Sequence, residues 1–288
     1  MFIHWIQAIR LKTMSASIAP IMLSQFLAYE MSPRFDWLLA SVIMLCAIFL
    51  QISVNLANDY FDDKAGIDGE QRLGPIRALQ SGLINAAQMR TAIMLCLVIA
   101  VSSGLYLITV GGFYYFLLGL ACIGGVLGYS GGPKPLASHA LGEVCVLLFF
   151  GPVAVIGGFY LQVVDQQLAA HQFNQVLSYS VQMGLWAAAI MLVNNLRDIT
   201  SDAAAQKITL AVLLGPSNSR ALYTVMLVSV LVLAYLNGQS IVLLILGVLV
   251  NLVLVRLIYQ REKQALNQQL AQSAAGMLLW SLLCIIWL

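Results

Sequence analysis

Charge is scarce in this chain, and histidine and cysteine are scarcer still. Only 9% of its 288 residues are Asp, Glu, Lys or Arg, while 61% are hydrophobic. A soluble domain carries about 25% charged residues, so a water-soluble fold is excluded. The net charge of +2 says little about partners, and nothing in the chain suggests nucleic acid. The five cysteines (Cys46, Cys96, Cys122, Cys145 and Cys284) all fall within apolar runs. Their spacing fits neither a disulfide framework nor a zinc site, so they read as small buried side chains. No polar stretch is long enough to form a separate soluble domain, and nothing points to an obligate protein partner.

Long apolar runs fill the space instead. Nine of them, near 14–31, 36–57, 88–109, 111–129, 139–164, 176–197, 220–237, 240–259 and 270–288, are long enough to cross about 30 Å of hydrocarbon. Val110-Gly111-Gly112 and Asn237-Gly238-Gln239 leave room only for tight antiparallel hairpins. The expectation is an all-α polytopic membrane protein, a single domain over residues 1–288. Arg10 and Lys12 precede a first run broken by Ser15, Ser17, Pro20 and Ser24, with no convincing cleavage site. That run is expected to be a retained helix and not a signal peptide.

Basic residues set the orientation. With the N-terminus in the cytoplasm, 13 of the 14 Lys and Arg residues fall on cytoplasmic segments, and only Arg34 lies outside. The positive-inside rule then expects a cytoplasmic-membrane protein whose functional loops face the cytoplasm, with the C-terminus outside.

Two acidic segments break the apolar pattern, about 140 residues apart: Asn55-Leu-Ala-Asn-Asp-Tyr-Phe-Asp-Asp-Lys-Ala-Gly-Ile-Asp68 and Asn194-Asn-Leu-Arg-Asp-Ile-Thr-Ser-Asp202. Both lie on the cytoplasmic face of this topology, where a long apolar run ends. Asn55, Asp59, Asp62 and Asp63 share one helical face, as do Asn58 and Asp62; Asp198 and Asp202 are one turn apart, with Asn194 and Asn195 a turn earlier. Five of the chain's twelve acids fall between residues 59 and 70. Such a cluster repels itself unless a cation is bound. Single acids at helix ends can serve as caps or solubilise a loop, but two matching clusters on one face, each with Asn beside Asp, point to a shared site. Hard oxygen ligands without His or Cys favour magnesium, which completes its shell with water and phosphate oxygen, over zinc or iron. Arg72 and Arg77 follow the first segment, Lys207 follows the second, and Lys134 lies in Gly131-Gly-Pro-Lys-Pro135. They are candidates to neutralise a diphosphate. For His139, a lone histidine at a helix start, a cap or packing role reads at least as well as a chemical one. The loop 256–269 reads as a solvated link without a catalytic role.

These segments resemble the paired aspartate motifs of the UbiA-type intramembrane aromatic prenyltransferases. Within that family the likeness is to the branch that prenylates 1,4-dihydroxy-2-naphthoate in menaquinone synthesis. Arg72-Leu-Gly-Pro-Ile-Arg-Ala-Leu-Gln-Ser-Gly82, Tyr129-Ser-Gly-Gly-Pro-Lys-Pro-Leu136, Gly142-Glu143 and Lys207-Ile-Thr-Leu-Ala-Val-Leu-Leu-Gly215 carry it further. One departure is Gly66, where the general pattern has an aspartate; in the naphthoate branch that carboxylate moves to the position of Asp68. The resemblance implies nine transmembrane helices around a central cavity capped by cytoplasmic loops. It implies that Asn58, Asp62, Asp68, Asp198 and Asp202 hold Mg2+ ions bridging a polyprenyl diphosphate, with Asp59 and Asn195 in the same motifs. Lys134 is expected at the diphosphate, together with Lys207, Arg72, Arg77 and Tyr129.

The implied reaction joins a polyprenyl group to the naphthoate with loss of its carboxylate, giving demethylmenaquinone and diphosphate. A dry cavity with aromatic walls would protect the allylic cation; Tyr60, Tyr129 and Tyr160 are candidates. Two other readings compete. One is a different aromatic acceptor, such as 4-hydroxybenzoate of the ubiquinone pathway, which the Arg72–Gly82 and Tyr129–Leu136 stretches disfavour. The other is a cation transporter, disfavoured because the acids lie at one face and not at mid-membrane. A phosphatidyltransferase would need an Asp-Gly-x-x-Ala-Arg segment, which is absent.

Overall fold

The computed structural model of the chain describes residues 2–66, 73–74 and 77–287. A short α1 (Phe2–Ile9) leads into α2 (Ser15–Met31), α3 (Trp37–Lys64), α4 (Ala86–Gly111) and α5 (Phe113–Gly128). Next come α6 (Gly142–Gln162), α7 (Ala170–Arg197), a one-and-a-half-turn α8 (Ile199–Ala204), α9 (Leu210–Leu236), α10 (Ile241–Gln260) and α11 (Leu266–Ile286). The described residues form no strand; one backbone bridge joins His139 to Ile208.

Helix boundaries follow local chemistry. The Asp36 carboxylate accepts from the backbone N–H groups of Leu38 and Leu39, and Asn85 with Gln88 forms a reciprocal capping box at the start of α4. Gly112 at φ +71° and Gly238 at φ +70° make the tight hairpins expected there. Gly215 leaves the helix just ahead of Pro216, so α9 is kinked after its first turns. Pro152 is accommodated in a π-helical stretch, Phe149–Ile156, within α6. The wider turn takes up the hydrogen bond that proline cannot make.

Seven helices are long and apolar enough to cross a membrane: α3, α4, α6, α7, α9, α10 and α11, the last with its preceding turn. The other two predicted spans are helices of 17 residues (α2) and 16 residues (α5). Large apolar side chains point outward all round, among them Trp37, Phe113, Leu236 and Leu252. Lipid, not water, is the environment that accepts such a surface. The chain is an integral, multi-pass membrane protein.

The bundle is built on α7, most of which is buried. Its Trp186 and Met183 share a core with Leu23 and Leu27 of α2, Tyr223 of α9, and Trp280 of α11. Buried polar groups tie these helices together, including Trp280 Nε1 donating to Gln182 Oε1 at 3.0 Å and Tyr223 with Ser273 at 2.7 Å. Between α6 and α7 the backbones nearly touch: a Cβ on Gly151 would lie 2.6 Å from the Ser180 carbonyl, and one on Gly184 2.6 Å from that of Leu147. A second core wraps α1, α3 and α4 and includes Ala78 and Ile84. It anchors the segment that carries Arg77 against the end of α3.

Candidate active site

Helix α3 runs without interruption from its apolar length into the first acidic segment, so Asn55, Asn58, Asp59 and Asp62 are buried on a helix and not solvated in a loop. Helix α7 does the same for Asn195, buried Asp198 caps its C-terminal end, and α8 adds buried Asp202. The two segments face each other across one cavity of about 460 Å³, lined at this end by Asn58, Asp62, Asp198 and Asp202.

Basic groups close around these oxygens. Arg10 and Arg77 each donate to Asn58 Oδ1 at 2.8 Å, and Arg77 also reaches Asp62 Oδ2 at 2.7 Å. Asn58 Nδ2 donates to Ser130 Oγ at 2.6 Å, which fixes its amide with the oxygen toward the two arginines. Lys207 Nζ stands between the motifs, 3.9 Å from Asp62 Oδ2 and 3.7 Å from Asp202 Oδ1. Arg197 forks onto Asp198, with Nε 2.9 Å from Oδ1 and its terminal nitrogen on Oδ2. Arg197 also donates to Asn194 Oδ1 at 3.0 Å and to Asn267 Oδ1 at 2.9 Å.

The donor set fits magnesium. Asn58, Asp62, Asp198 and Asp202 offer only hard oxygens, and a cationic side chain, Lys207, already draws Asp62 and Asp202 toward one charge. Among the described residues no three His, Cys, Asp or Glu side chains close on one point. Magnesium does not require that, because it keeps several waters and binds through one or two carboxylates plus substrate phosphate.

The remaining wall is apolar. Below the acidic end the cavity is lined by residues such as Leu50, Val54, Phe149 and Val153 and reaches Tyr115 and Leu161. Its lining includes Leu105 of α4 and Leu120 of α5, which are 59% and 53% exposed, so the cavity opens sideways at the α4–α5 seam. Along α3 the lining runs from Ile43 to Asp62, a helical length of about 28 Å.

Other sequence candidates fall into four groups. Arg77, Tyr129, Asn195 and Lys207 line the cavity with the aspartates. Lys134 is exposed and lies outside the lining, as is His139, whose ring sits 2.8 Å from the Pro135 carbonyl. Tyr60 packs on Phe61, and Tyr160 stacks on Tyr115 from outside the cavity. Asp68 and Arg72 lie outside the described residues. Sequence reasoning gave Arg10 and Arg197 only a topological role. The signal for Arg197 was its place beside Asp198, since an arginine next to a buried carboxylate is its natural fork partner; nothing local singled out Arg10. Asn267 lay in the segment read as a plain link, yet it meets Arg197 and donates to the Leu73 carbonyl at 3.2 Å.

Comparison with known proteins agrees with this architecture. The model of the UbiA prenyltransferase family matches residues 17–282. The 1,4-dihydroxy-2-naphthoate octaprenyltransferase of Haemophilus influenzae is 36% identical over 239 residues, 81% of this chain and 75% of that protein. The Escherichia coli protein of the same name is 37% identical over 236 residues, 79% of this chain and 74% of its own. Among solved structures, a UbiA homologue from Aeropyrum pernix K1 in its apo form superposes with a TM-score of 0.68, at 18% identity, covering 94% of this chain and 98% of that one. One from Archaeoglobus fulgidus bound to GPP and Mg2+ gives 0.63 at 17% identity, covering 98% and 99%. The chain belongs to the UbiA prenyltransferase family.

Proposed function

We propose that this enzyme transfers a polyprenyl group from its diphosphate to 1,4-dihydroxy-2-naphthoate, with loss of the acceptor's carboxylate. The single observation that carries the reading is the shape and polarity of one cavity: paired acidic motifs with three basic side chains at one end, and an apolar arm open to the side. That is the outline of a diphosphate with an isoprenoid tail. The relatives named for this reaction match across most of the chain, so they support the naphthoate over another aromatic acceptor.

The diphosphate lies at the Asn58–Asp62 and Asp198–Asp202 end, and magnesium held there, with Asp68 and Asp59 as further oxygens, supplies charge for the leaving group. A UbiA homologue solved with GPP and Mg2+ supports a prenyl diphosphate and a divalent metal as the ligands. Arg10, Arg77 and Lys207 turn from carboxylates and amide to diphosphate oxygens, and Lys134 and Arg72 add to them from the loops. The allylic C–O bond breaks with its electron pair on the diphosphate, the ring carbon forms the new C–C bond, and the ring regains aromaticity as its carboxylate leaves as CO2. Apolar walls and Tyr129 keep water from the cation.

Counting α2 and α5 as spans gives nine membrane crossings around the cavity, capped by the loops that carry the basic residues. The enzyme sits in the cytoplasmic membrane with this end inward and the C-terminus outside. Purified protein in lipid nanodiscs, given a polyprenyl diphosphate, Mg2+ and either 1,4-dihydroxy-2-naphthoate or 4-hydroxybenzoate, tests the reading. Prenylated naphthol with release of CO2 is expected. A product only from 4-hydroxybenzoate, or from neither acceptor, overturns it.

A further inference from the structure

One polar pair at the cavity, Asn195 on its wall and Glu143 behind it, belongs to neither the aspartates nor the cations. At the start of α6, Glu143 is 2% exposed, and its Oε1 accepts from Asn195 Nδ2 at 2.8 Å. A carboxylate oxygen facing an amide settles which way the amide points, because it accepts only from nitrogen. Asn195 lines the cavity, and with its nitrogen held by Glu143 the atom left to it is Oδ1, an acceptor with no partner among the described residues. Near this amide stands the Tyr129 hydroxyl, whose hydrogen bond goes to the Met191 thioether at 3.3 Å, a weak acceptor. Gly142 makes this meeting possible. A Cβ there would lie 3.1 Å from the Tyr129 oxygen and 3.8 Å from Asn195 Nδ2, so both groups crowd around one point.

An available acceptor beside a weakly engaged donor is the complement of one hydroxyl group. From this geometry we infer that Asn195 and Tyr129 read a ring hydroxyl of the aromatic acceptor, and that Glu143 is the positioning residue that sets the Asn195 amide. The hydroxyl donates to Asn195 Oδ1 and accepts from Tyr129. The location suits this role. The ring carbon must come within about 3–3.5 Å of the allylic carbon, which is bonded to the diphosphate. The acceptor therefore lies against the wall where the acidic end gives way to apolar lining, as Tyr129, Met191 and Asn195 do. The opposite wall is already committed: Ser17 donates to Gln51, Gln51 to Asn55, and Asn55 to the Ile9 carbonyl. This inference rests on the prenyl-transfer reading and assigns Asn195 to the acceptor and not to the metal.

The test compares 1-hydroxy-2-naphthoate with 2-naphthoate, which lacks the hydroxyl, as competitive inhibitors of prenyl transfer. Their binding to the metal-free protein is followed in parallel by thermal shift. Wild type is expected to prefer the hydroxylated compound by about tenfold, the worth of one well-made hydrogen bond. Tyr129→Phe and Asn195→Ala each shrink that preference several-fold while the KM for prenyl diphosphate and the half-saturating Mg2+ stay put. Glu143→Leu behaves like Asn195→Ala, whereas Glu143→Gln, which still offers the amide an oxygen, retains more of the preference. An unchanged preference in Tyr129→Phe and Asn195→Ala overturns the inference. So does a rise of diphosphate KM or Mg2+ requirement in step with the acceptor's, since that would place these residues at the metal. Wild-type protein inactive with every acceptor would instead sink the reaction assignment, and the thermal shifts would still decide whether the hydroxyl is read.

Discussion

The Lys207 ammonium lies 3.9 Å from Asp62 and 3.7 Å from Asp202, joining two motifs that are 140 residues apart in the chain. A flexible point charge in that place can pass from carboxylates to a diphosphate with little rearrangement. Replacing it has two separable effects. Lys207→Met is expected to raise the KM for prenyl diphosphate about tenfold or more. It should also enlarge the stabilisation that Mg2+ alone gives, because the unneutralised carboxylates then gain more from the ion. Steady-state kinetics and melting with and without Mg2+ check both. An unchanged KM would remove Lys207 from the diphosphate site.

Asp62 and Asp198 each hold an arginine as well as facing the cavity. Asp62→Asn and Asp198→Asn keep the shape but not the charge. Each is expected to lower product formation about a hundredfold or more, the usual cost of losing electrostatic stabilisation of a departing group. Added Mg2+ should restore little of it. Full activity in either variant would end the metal assignment for that residue.

Arg197 is only 4% exposed and is shared among Asp198, Asn194 and Asn267. Removing one partner of a buried ion pair strands the other, at a cost of about 3–5 kcal/mol. Arg197→Ala should therefore fall well below wild type in thermal stability. Arg197→Lys, which keeps the charge but cannot fork, should land between them. Melting curves in detergent decide, and equal midpoints for all three proteins would show that the fork holds nothing together.

How far the sequence foretold this site depends on what each residue's signal was. Seven of the nine apolar runs are helices long and apolar enough to cross a membrane, because lipid enforces length and hydrophobicity on every span. Asp62, Asp198 and Asp202 were legible because carboxylates at helical spacing in an apolar chain have few structural reasons to exist. Partners were harder. Arg10 reaches Asn58 across 48 residues of sequence, and no local pattern encodes that distance. Asn267 looked like part of a polar link because composition reports solubility and not contacts. The short α1 went unread, being too brief to register as a span. Lys134 shows the reverse case: a conspicuous Gly-Gly-Pro-Lys-Pro motif whose charged group is exposed in this structure, outside the cavity lining.

Packing at the α6–α7 crossing gives a sharp contrast between glycines. A methyl group on Gly184 would meet the Leu147 carbonyl at 2.6 Å, backbone that cannot step aside, whereas one on Gly104 meets nothing within 4 Å. Gly184→Ala is expected to lose about 1–3 kcal/mol through forced separation of the helices. Gly104→Ala should melt with wild type or slightly above it, since alanine favours the helix. Comparable losses in both would mean the crossing is not the close contact described.

The same open space at Gly104 lies on the cavity, as does Gly119 of α5, where an added Cβ also meets nothing within 4 Å. Together with exposed Leu105 and Leu120 they border the side opening. A tail short enough to lie along the about 28 Å of lined α3 need not leave the cavity, but a longer one must pass this seam into the lipid. Gly104→Phe should therefore spare transfer from geranyl diphosphate and cut transfer from octaprenyl diphosphate about tenfold or more. The ratio of kcat/KM for the two donors measures it directly. If both donors suffer alike, the phenyl ring blocks the reaction centre itself; if neither does, long tails leave by another route.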